Sequence, residues 1–473
     1  MLQQILDSAV SLLWGRGTVL LTLLCGIYFT VATGFLPIFK ISSVFQKTVG
    51  SLFSKPKSSG ISPFAAVSAA LGGTMGVGNI IGVGAAFLIG GAGSIFWMWV
   101  GAFFGMMTKY AEVLLAVLYR ERDPDSRSFR GGPMYYMSKG ISGRPGRFLA
   151  AAFCIICALS CLTGGSMTQT NAIACALSES FSVSASLCAI TLTAVCAWVL
   201  CGGCDRAVRL CSALVPFMSV FYLAGCFVII LHFRENLSAA FHQIFSQAFG
   251  QGQLLSKAAG ISSGFFVSVR VGISRGIFTH EAGLGSASIA HACSDNSPVE
   301  QGFWGIFEVF CDTLLVCTAT ALAILCSGVP FSPDSAKDAF VLVMGKAGGQ
   351  FLSLSIALFA FASVISFCLY GQRCIEFLFP NSKRAIACYR FLFLLGCAAG
   401  CFSRLPFVLS LSDFWNACLL FPNLTALFLL SPKVIALTKE YFQKGRSFSC
   451  SSVRSNQKKS SQRRCCLPSR QFF

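Results

Sequence analysis

Residues 211–232 read CSALVPFMSVFYLAGCFVIILH, without one Asp, Glu, Lys or Arg. An uncharged apolar run of this length matches the bilayer core, which an α-helix crosses in about 20 residues. Similar runs recur from one end of the chain to the other. Transmembrane β-barrels instead show alternating strands of about 10 residues. The pattern therefore predicts an all-α integral membrane protein.

Composition agrees. Charged residues make up 11% of the 473 positions and hydrophobic ones 55%, where a soluble domain carries roughly 25% charge. Mean hydropathy is +0.71. The net charge of +18 could suggest a nucleic-acid partner. Position argues against one: residues 433–473 hold ten Lys/Arg against Glu440 alone, and most of the others flank apolar runs. No nucleic-acid role is expected. Most of the 24 cysteines sit singly inside apolar runs, where a thiol behaves as a small hydrophobe. The one CxxC, Cys201 to Cys204, lacks a second pair or a nearby His. No signal peptide is expected, because the N-terminus has neither a basic stretch nor a small-residue cleavage site.

Eleven apolar segments are expected: about 17–37, 63–90, 94–118, 148–178, 184–201, 211–232, 258–290, 302–327, 350–377, 387–402 and 411–431. Residues 1–15 read as an interfacial amphipathic helix. Residues 16–441 are expected to form one transmembrane domain, and 442–473 a basic, disordered cytoplasmic tail. With the C-terminus inside, inner segments hold 27 Lys/Arg and outer ones 6. Positive charge marks the cytoplasmic side, so the N-terminus is expected outside.

Two segments are not ordinary spans. The second, SPFAAVSAALGGTMGVGNIIGVGAAFLIGGAG, has Gly72, Gly73, Gly76 and Gly78 around Thr74 and Asn79. The seventh contains SRGIFTHEAGLGSAS, with His280 and Glu281 among its glycines. A glycine costs about 1 kcal/mol in a helix interior, and a charge at mid-membrane costs more. Non-helical backbone at that depth is tolerated only inside protein or beside a water-filled cavity. Tight GxxxG packing explains Gly78 with Gly82, but not the cluster around Asn79. The interrupted spans lie five apart, and a repeat of five inverts its second copy. Paired broken helices in inverted halves point to a secondary transporter's binding site. The repeats would be about 63–232 and 258–431. The N–H groups at a half-helix start suit a carboxylate, so Gly76, Gly78 and Asn79 are the expected anchors. No GxxxxGK[ST] is present, so ATP-driven pumping is not expected.

GGTMGVGNIIGVG, FWMW at 96–99, MTKYAEVLLAVLYR at 107–120, RGGPMYYM at 130–137 and RGIFTHEAGLGSASIAHA at 275–292 together resemble the alanine/glycine:cation symporter family. DTLLVCTATAL at 312–322, YGQRCIEFLF at 370–379 and PNLTAL at 422–427 continue the likeness in order. The resemblance implies a leucine-transporter-like fold and symport of alanine or glycine with sodium, or sometimes protons. It implies no cofactor beyond sodium as co-substrate, and no catalytic residue. The expected setting is a bacterial inner membrane, with the transporter acting as a monomer.

The same resemblance implies a substrate pocket walled by Thr74, Met75, Phe278 and Phe367, with Gln169 of the fourth span reaching in. It implies a cation site built from carbonyls near Gly72 and Gly73 and the Ser363 hydroxyl. The chain departs from the family at Val77 (usually Thr), His280 (Asn), Ala362 (Ser), Ser366 (Gly), Phe367 (Trp) and Gln372 (Glu). The Ala362 departure removes a hydroxyl next to Ser363. His280 and Glu281 are candidates for a proton-linked or a structural role, and proton coupling is the alternative to sodium. Lys109 and Glu112, three apart on one helix face, are expected to pair. A channel is the competing class, but it wants filter loops or rings of side chains. An intramembrane enzyme is disfavoured, because the four histidines fall at no ligand spacing.

Overall fold

The computed structural model describes residues 2–51, 61–122, 129–249, 262–380 and 382–459. The described chain is almost wholly helical. Its helices are α1 (Leu2–Leu13), α2 (Arg16–Ala32), α3 (Leu36–Phe39), α4 (Ile41–Lys47), α5 (Pro63–Thr74), α6 (Ile81–Gly90) and α7 (Gly93–Leu118). A short antiparallel pair, β1 (Glu121–Arg122) and β2 (Phe129–Arg130), then leads to α8 (Pro133–Gly140). There follow α9 (Arg144–Ser160), α10 (Ser166–Phe181), α11 (Ala185–Cys201), α12 (Gly203–His232) and α13 (Leu237–Ala248). The second half has α14 (Ser262–His280), α15 (Ser288–His291), α16 (Pro298–Val309), α17 (Thr318–Ser327), α18 (Ser335–Leu378), α19 (Lys383–Gly400) and α20 (Leu405–Lys459). π-helical turns join α9 to α10 and α16 to α17.

Among the described residues, six continuous stretches are long and apolar enough to cross a membrane: Gly93–Leu118, Arg144–Phe181, Asp205–His232, Pro298–Ser327, Ser335–Leu378 and Leu405–Gln443. Length and composition alone do not reproduce the expected eleven. Of the remaining segments, the second is split into α5 and α6 with 12 and 10 residues, and α14 of the seventh carries Arg270 and Arg275. α11 has only 17 residues, and α19 carries Lys383, Arg384 and Arg390. Three further differences concern boundaries. α13 occupies part of an expected loop. α18 starts earlier than 350 and bends at Gly345, whose φ is +58°. α20 continues to Lys459, past the domain end expected at 441. Residues 258–261 of the second repeat and 460–473 of the tail lie outside the described residues.

Both interruptions have local causes. Ser62 starts α5 by accepting a hydrogen bond from the Ala65 N–H at 3.1 Å, with Pro63 in the first turn, the usual start signals. The helix stops at Thr74, where Met75 (ψ 82°) and Gly76 (φ −122°, ψ −155°) leave helical geometry. In the seventh segment α14 ends at His280. Glu281, Gly283 and Gly285 follow with φ of +52°, +95° and +81°. Glycine adopts that region freely, and Glu281 is held there against its preference.

The broken helices lie inside the protein. α5 packs between α12 and α18, and α14 against α6 and α7. α7 also packs closely on α16. A Cβ on Gly302 would lie 2.7 Å from the Tyr110 ring, and one on Gly305 3.0 Å from Val113. Small residues at such an interface let helix backbones approach in the membrane. That closeness redirects Lys109. Its ammonium lies 3.6 Å from Glu308 of α16, not against Glu112. Glu112 instead accepts from the Gly283 N–H at 2.8 Å and the Asn423 amide at 2.7 Å. Glu308 also meets His291 at 2.8 Å. The expected i, i+3 pair fails because each member finds a better partner on another helix.

Candidate functional site

The break between α5 and α6 diverts its own backbone hydrogen bonds. A continuous helix would aim the Gly76 and Val77 N–H groups at the Gly72 and Gly73 carbonyls. Here the Gly76 N–H donates to the Thr74 carbonyl at 2.9 Å and to Asn79 Oδ1 at 3.1 Å. The Val77 N–H donates to Gln169 Oε1 on α10 at 3.2 Å. The Gly72 and Gly73 carbonyls thereby lose their helical donors. The Asn79 N–H bonds back to the Gly76 carbonyl at 3.3 Å.

A narrow cavity of about 20 Å³ adjoins this break, enough for about one water molecule. Its lining brings together Thr74, Gly76, Gly78, Gln169, Phe278 and Phe367, six residues expected at the substrate. Gly73 and Glu281 reach it as well. Phe367 lies against Gly165, where a Cβ would come within 3.0 Å of the ring. Phe278 crowds Gly78 in the same way, at 3.0 Å.

Two expected pocket residues turn elsewhere. The Met75 sulfur accepts a hydrogen bond from Ser219 of α12 at 3.4 Å. The Asn79 amide nitrogen donates to Asp312 Oδ1 at 2.7 Å, and the Asn79 carbonyl accepts from Thr320 at 2.9 Å. Asn79 thus ties the break to the eighth segment. Thr313 donates to Asp312 Oδ2 at 2.9 Å and lies 3.3 Å from the Thr279 hydroxyl.

The cation candidates Gly72 and Ser363 lie where α18 passes α5. The Ser363 hydroxyl lies 3.5 Å from the Met75 carbonyl and 3.2 Å from that of Phe359. A Cβ on Gly72 would sit 2.7 Å from Ser366 Oγ, and one on Gly76 2.7 Å from Ser363 Oγ. Freed helix-end carbonyls and a hydroxyl at close range are the oxygen donors a small hard cation takes. Ser366 donates to the Ala69 and Ala362 carbonyls at 2.8 and 3.1 Å, and so ties α18 to α5.

His280 is buried away from the cavity. Its Nδ1 accepts from the Ala282 N–H at 3.0 Å, and among the described residues its Nε2 has no hydrogen-bond partner. Glu281 lines the cavity, but its Oε2 is bonded to Ser286 at 2.5 Å.

Sequence reasoning missed four lining residues: Ser160, Gly165, Ser412 and Asn416. Gly165 carried a signal, since the glycine pair at 164–165 falls in the π-helical turn Cys161–Gly165, which loosens the fourth span. π-bulges frequently mark functional sites. Ser412 and Asn416 lie in an unbroken apolar helix and carried none.

The chain is similar to known carriers over most of its length. The chain is 34% identical to the sodium/alanine symporter AgcS of Methanococcus maripaludis, over 92% of this chain and 96% of the relative. It is 34% identical to the probable sodium/glutamine symporter GlnT of Bacillus subtilis, over 93% and 91%. The crystal structure of MhsT in complex with L-phenylalanine shares the fold, with a TM-score of 0.53 at 16% identity, covering 80% of this chain and 89% of that one. The fold is thus that of the leucine-transporter-like carriers. The family model described as the sodium:alanine symporter family matches residues 1–454, and the chain belongs to that family of multi-pass membrane proteins, which couple amino-acid transport to sodium.

Proposed function

We propose that the protein takes up a small neutral amino acid, alanine or glycine, together with sodium by alternating access. The carrying observation is the cavity at the α5–α6 break. It is walled by glycine backbone, the Gln169 amide and two phenylalanine rings, and it leaves little room for a side chain. In this reading the substrate carboxylate takes the Gly78 N–H and displaces the internal bonds at Gly76 and Val77, as a helix start favours. The substrate ammonium group faces the Thr74 side and Glu281. Sodium sits between the Gly72, Gly73 and Met75 carbonyls and the Ser363 hydroxyl. The transporter acts as a monomer in a bacterial inner membrane, with its N-terminus outside and its basic C-terminus in the cytoplasm. The Lys/Arg distribution supports that orientation.

Uptake of labelled alanine, glycine and serine into proteoliposomes, with sodium and proton gradients imposed separately, tests the reading. Saturable, sodium-driven uptake with mutual competition is expected. Leucine or arginine competing as strongly as alanine would overturn the substrate class. Current under an imposed gradient without saturable uptake would indicate a channel.

A further inference from the structure

A turn with positive φ at Gly34 and Phe35 (+72° and +52°) ends α2 and leads into α3 and α4. α4 is fixed to the α16 segment at two points. The Phe45 and Phe310 rings meet edge to face with centroids 6.0 Å apart, and the Lys47 ammonium lies 2.9 Å from Glu300. Between these elements and α7 is a groove of about 340 Å³. It is lined by Ile38, Ile41 and Phe45 of the α3–α4 segment, Phe103 of α7, and Phe310 and Leu314 of the π-helical turn after α16. An apolar cavity of about 150 Å³ already takes a benzene ring. Among the described lining residues only Thr48 is polar, and its hydroxyl donates to the Val44 carbonyl at 2.7 Å. The groove thus offers a guest no polar partner, and it opens outward, since Ile38, Ile41 and Phe45 are exposed. A flexible hydrocarbon chain from the bilayer fits it, and a polar solute does not.

Charge selects the headgroup. Residues 38–62 contain Lys40, Lys47, Lys55 and Lys57 and no acid. Lys40 stands in the chain between the lining residues Ile38 and Ile41, and Lys47 directly precedes Thr48. A segment with apolar side chains toward hydrocarbon and lysines along its edge attracts anionic lipid. A second copy of the chain would instead bring the same lysines toward one another across a two-fold contact.

The groove shares an element with the central site. Phe310 and Leu314 line it from the π-helical turn Phe310–Cys317. Asp312 and Thr313 of the same turn meet the two broken spans: Asp312 accepts from the Asn79 amide at 2.7 Å, and Thr313 lies 3.3 Å from the Thr279 hydroxyl. Both breaks therefore lean on a turn whose groove-side rings and methyls pack fully only when the groove is filled. We propose that the groove binds one acyl chain of an anionic phospholipid, with the phosphate at Lys40 and Lys47, and that the bound chain steadies the turn carrying Asp312 and Thr313. Such a site acts whichever solute the protein carries.

The test is photo-labelling of the full chain in detergent by phosphatidylglycerol carrying a diazirine in one acyl chain, followed by peptide mass spectrometry. Labels are expected on 38–48 and 306–314. Phosphatidylglycerol should label these peptides about fivefold more than phosphatidylcholine with the same probe, the effect of one lysine near a lipid phosphate. Lys40→Gln with Lys47→Gln should erase that preference, and Lys40→Arg with Lys47→Arg should keep it. Ile41→Trp, which fills the groove from its exposed side, should remove most of the labelling at 306–314. Unlabelled phosphatidylglycerol should also slow hydrogen–deuterium exchange of the amides at 76–79 about threefold, within the range of coupling through packed side chains, and should not do so in the double glutamine variant. Equal labelling by the two lipids would overturn the anionic site and leave ordinary boundary lipid as the occupant. Absence of labels at the groove would overturn the site altogether, and a dimeric mass would then assign the face to a second copy. Selective labelling with unchanged exchange at 76–79 would overturn the coupling to the breaks. None of these readouts needs transport, so a protein that fails to take up amino acids would count against the symport reading alone.

Discussion

Gln169 on α10 accepts a hydrogen bond from the Val77 N–H at 3.2 Å, and this one contact holds the unwound turn of the second segment against the fourth. The bond keeps the break open by preventing the Val77 N–H from returning to the Gly73 carbonyl. Leaving a buried N–H without a partner costs about 1–3 kcal/mol. Gln169→Ala is expected to raise the KM for amino-acid uptake about tenfold or more. Gln169→Glu retains the acceptor but brings a negative charge near the substrate carboxylate, and should be worse than alanine at neutral pH. Initial uptake rates across substrate concentration in proteoliposomes decide it. An unchanged KM in Gln169→Ala would remove this residue from the site.

Glycine at 76 and 78 is required by space. A Cβ at 76 would meet Ser363 Oγ at 2.7 Å and the Gln169 amide at 2.9 Å, and one at 78 would meet the Phe278 ring at 3.0 Å. Gly78→Leu should abolish uptake while the protein still reaches the membrane. Gly76→Ala should lower it at least about tenfold, because overpacking of this kind costs roughly 1–3 kcal/mol. Wild-type uptake by Gly78→Leu, with normal amounts in the membrane fraction, would falsify the placement of the substrate.

Much of this site could be read from residue order. The glycine cluster around Asn79 announced the first break, because no continuous helix would tolerate so many glycines so close to a buried amide. Glu281, Gly283 and Gly285 announced the second, and all three adopt positive φ. Direction was harder to read. Met75 and Asn79 occupy the break, but their side chains point to Ser219 and Asp312. A one-residue rotation in unwound backbone decides that, and spacing rules hold only for regular helices. Lys109 and Glu112 show the limit from the other side. Their spacing allowed a pair, yet close packing of α7 on α16 offered Glu308 to the lysine. The contact of Trp14 with Asp413 was not legible either, since the two are far apart in the chain.

Ser363 and Ala362 should set the sodium dependence. Ser363 supplies a hydroxyl at the break, 3.5 Å from the Met75 carbonyl. Ser363→Ala is expected to raise the sodium concentration for half-maximal uptake about tenfold or more, since a hydrogen-bonding group at a charge is worth about 1.5–3 kcal/mol. Ala362→Thr should lower it by restoring a neighbouring oxygen. Uptake that ignores sodium, follows an imposed pH gradient and is lost in His280→Ala would establish proton coupling instead.

The Lys109–Glu308 pair is fully buried, so removing one partner strands a charge. Glu308→Gln or Lys109→Met should each destabilise the protein by about 3–5 kcal/mol. The double variant Lys109→Met with Glu308→Gln should recover part of that loss, since neither charge then remains unpaired, although His291 still loses its carboxylate partner. Thermal unfolding in detergent, followed by size-exclusion chromatography, gives the order. Additive losses in the double variant would show that the pair is not energetically coupled.

Phe367 stands where the family resemblance implies a tryptophan, and its ring packs on Gly165 at the edge of the cavity. A tryptophan there has more volume and nowhere to place it except toward the Gly165 backbone or into the cavity. The backbone at Gly165 belongs to the π-helical turn and is also close to α18, so it has little room to retreat. The extra ring therefore enters the cavity, and the smallest substrate should suffer least. Phe367→Trp is expected to shift the ratio of kcat/KM toward glycine over serine by about 10-fold, the range of one methylene-sized change in a packed pocket. Phe367→Ala should do the reverse and admit serine or a larger neutral side chain, at some loss of affinity for glycine. Competition curves for glycine, alanine, serine and leucine against labelled alanine measure both shifts. If the two variants leave the rank order unchanged, Phe367 does not wall the pocket, and selectivity lies with Phe278, Ser412 and Asn416.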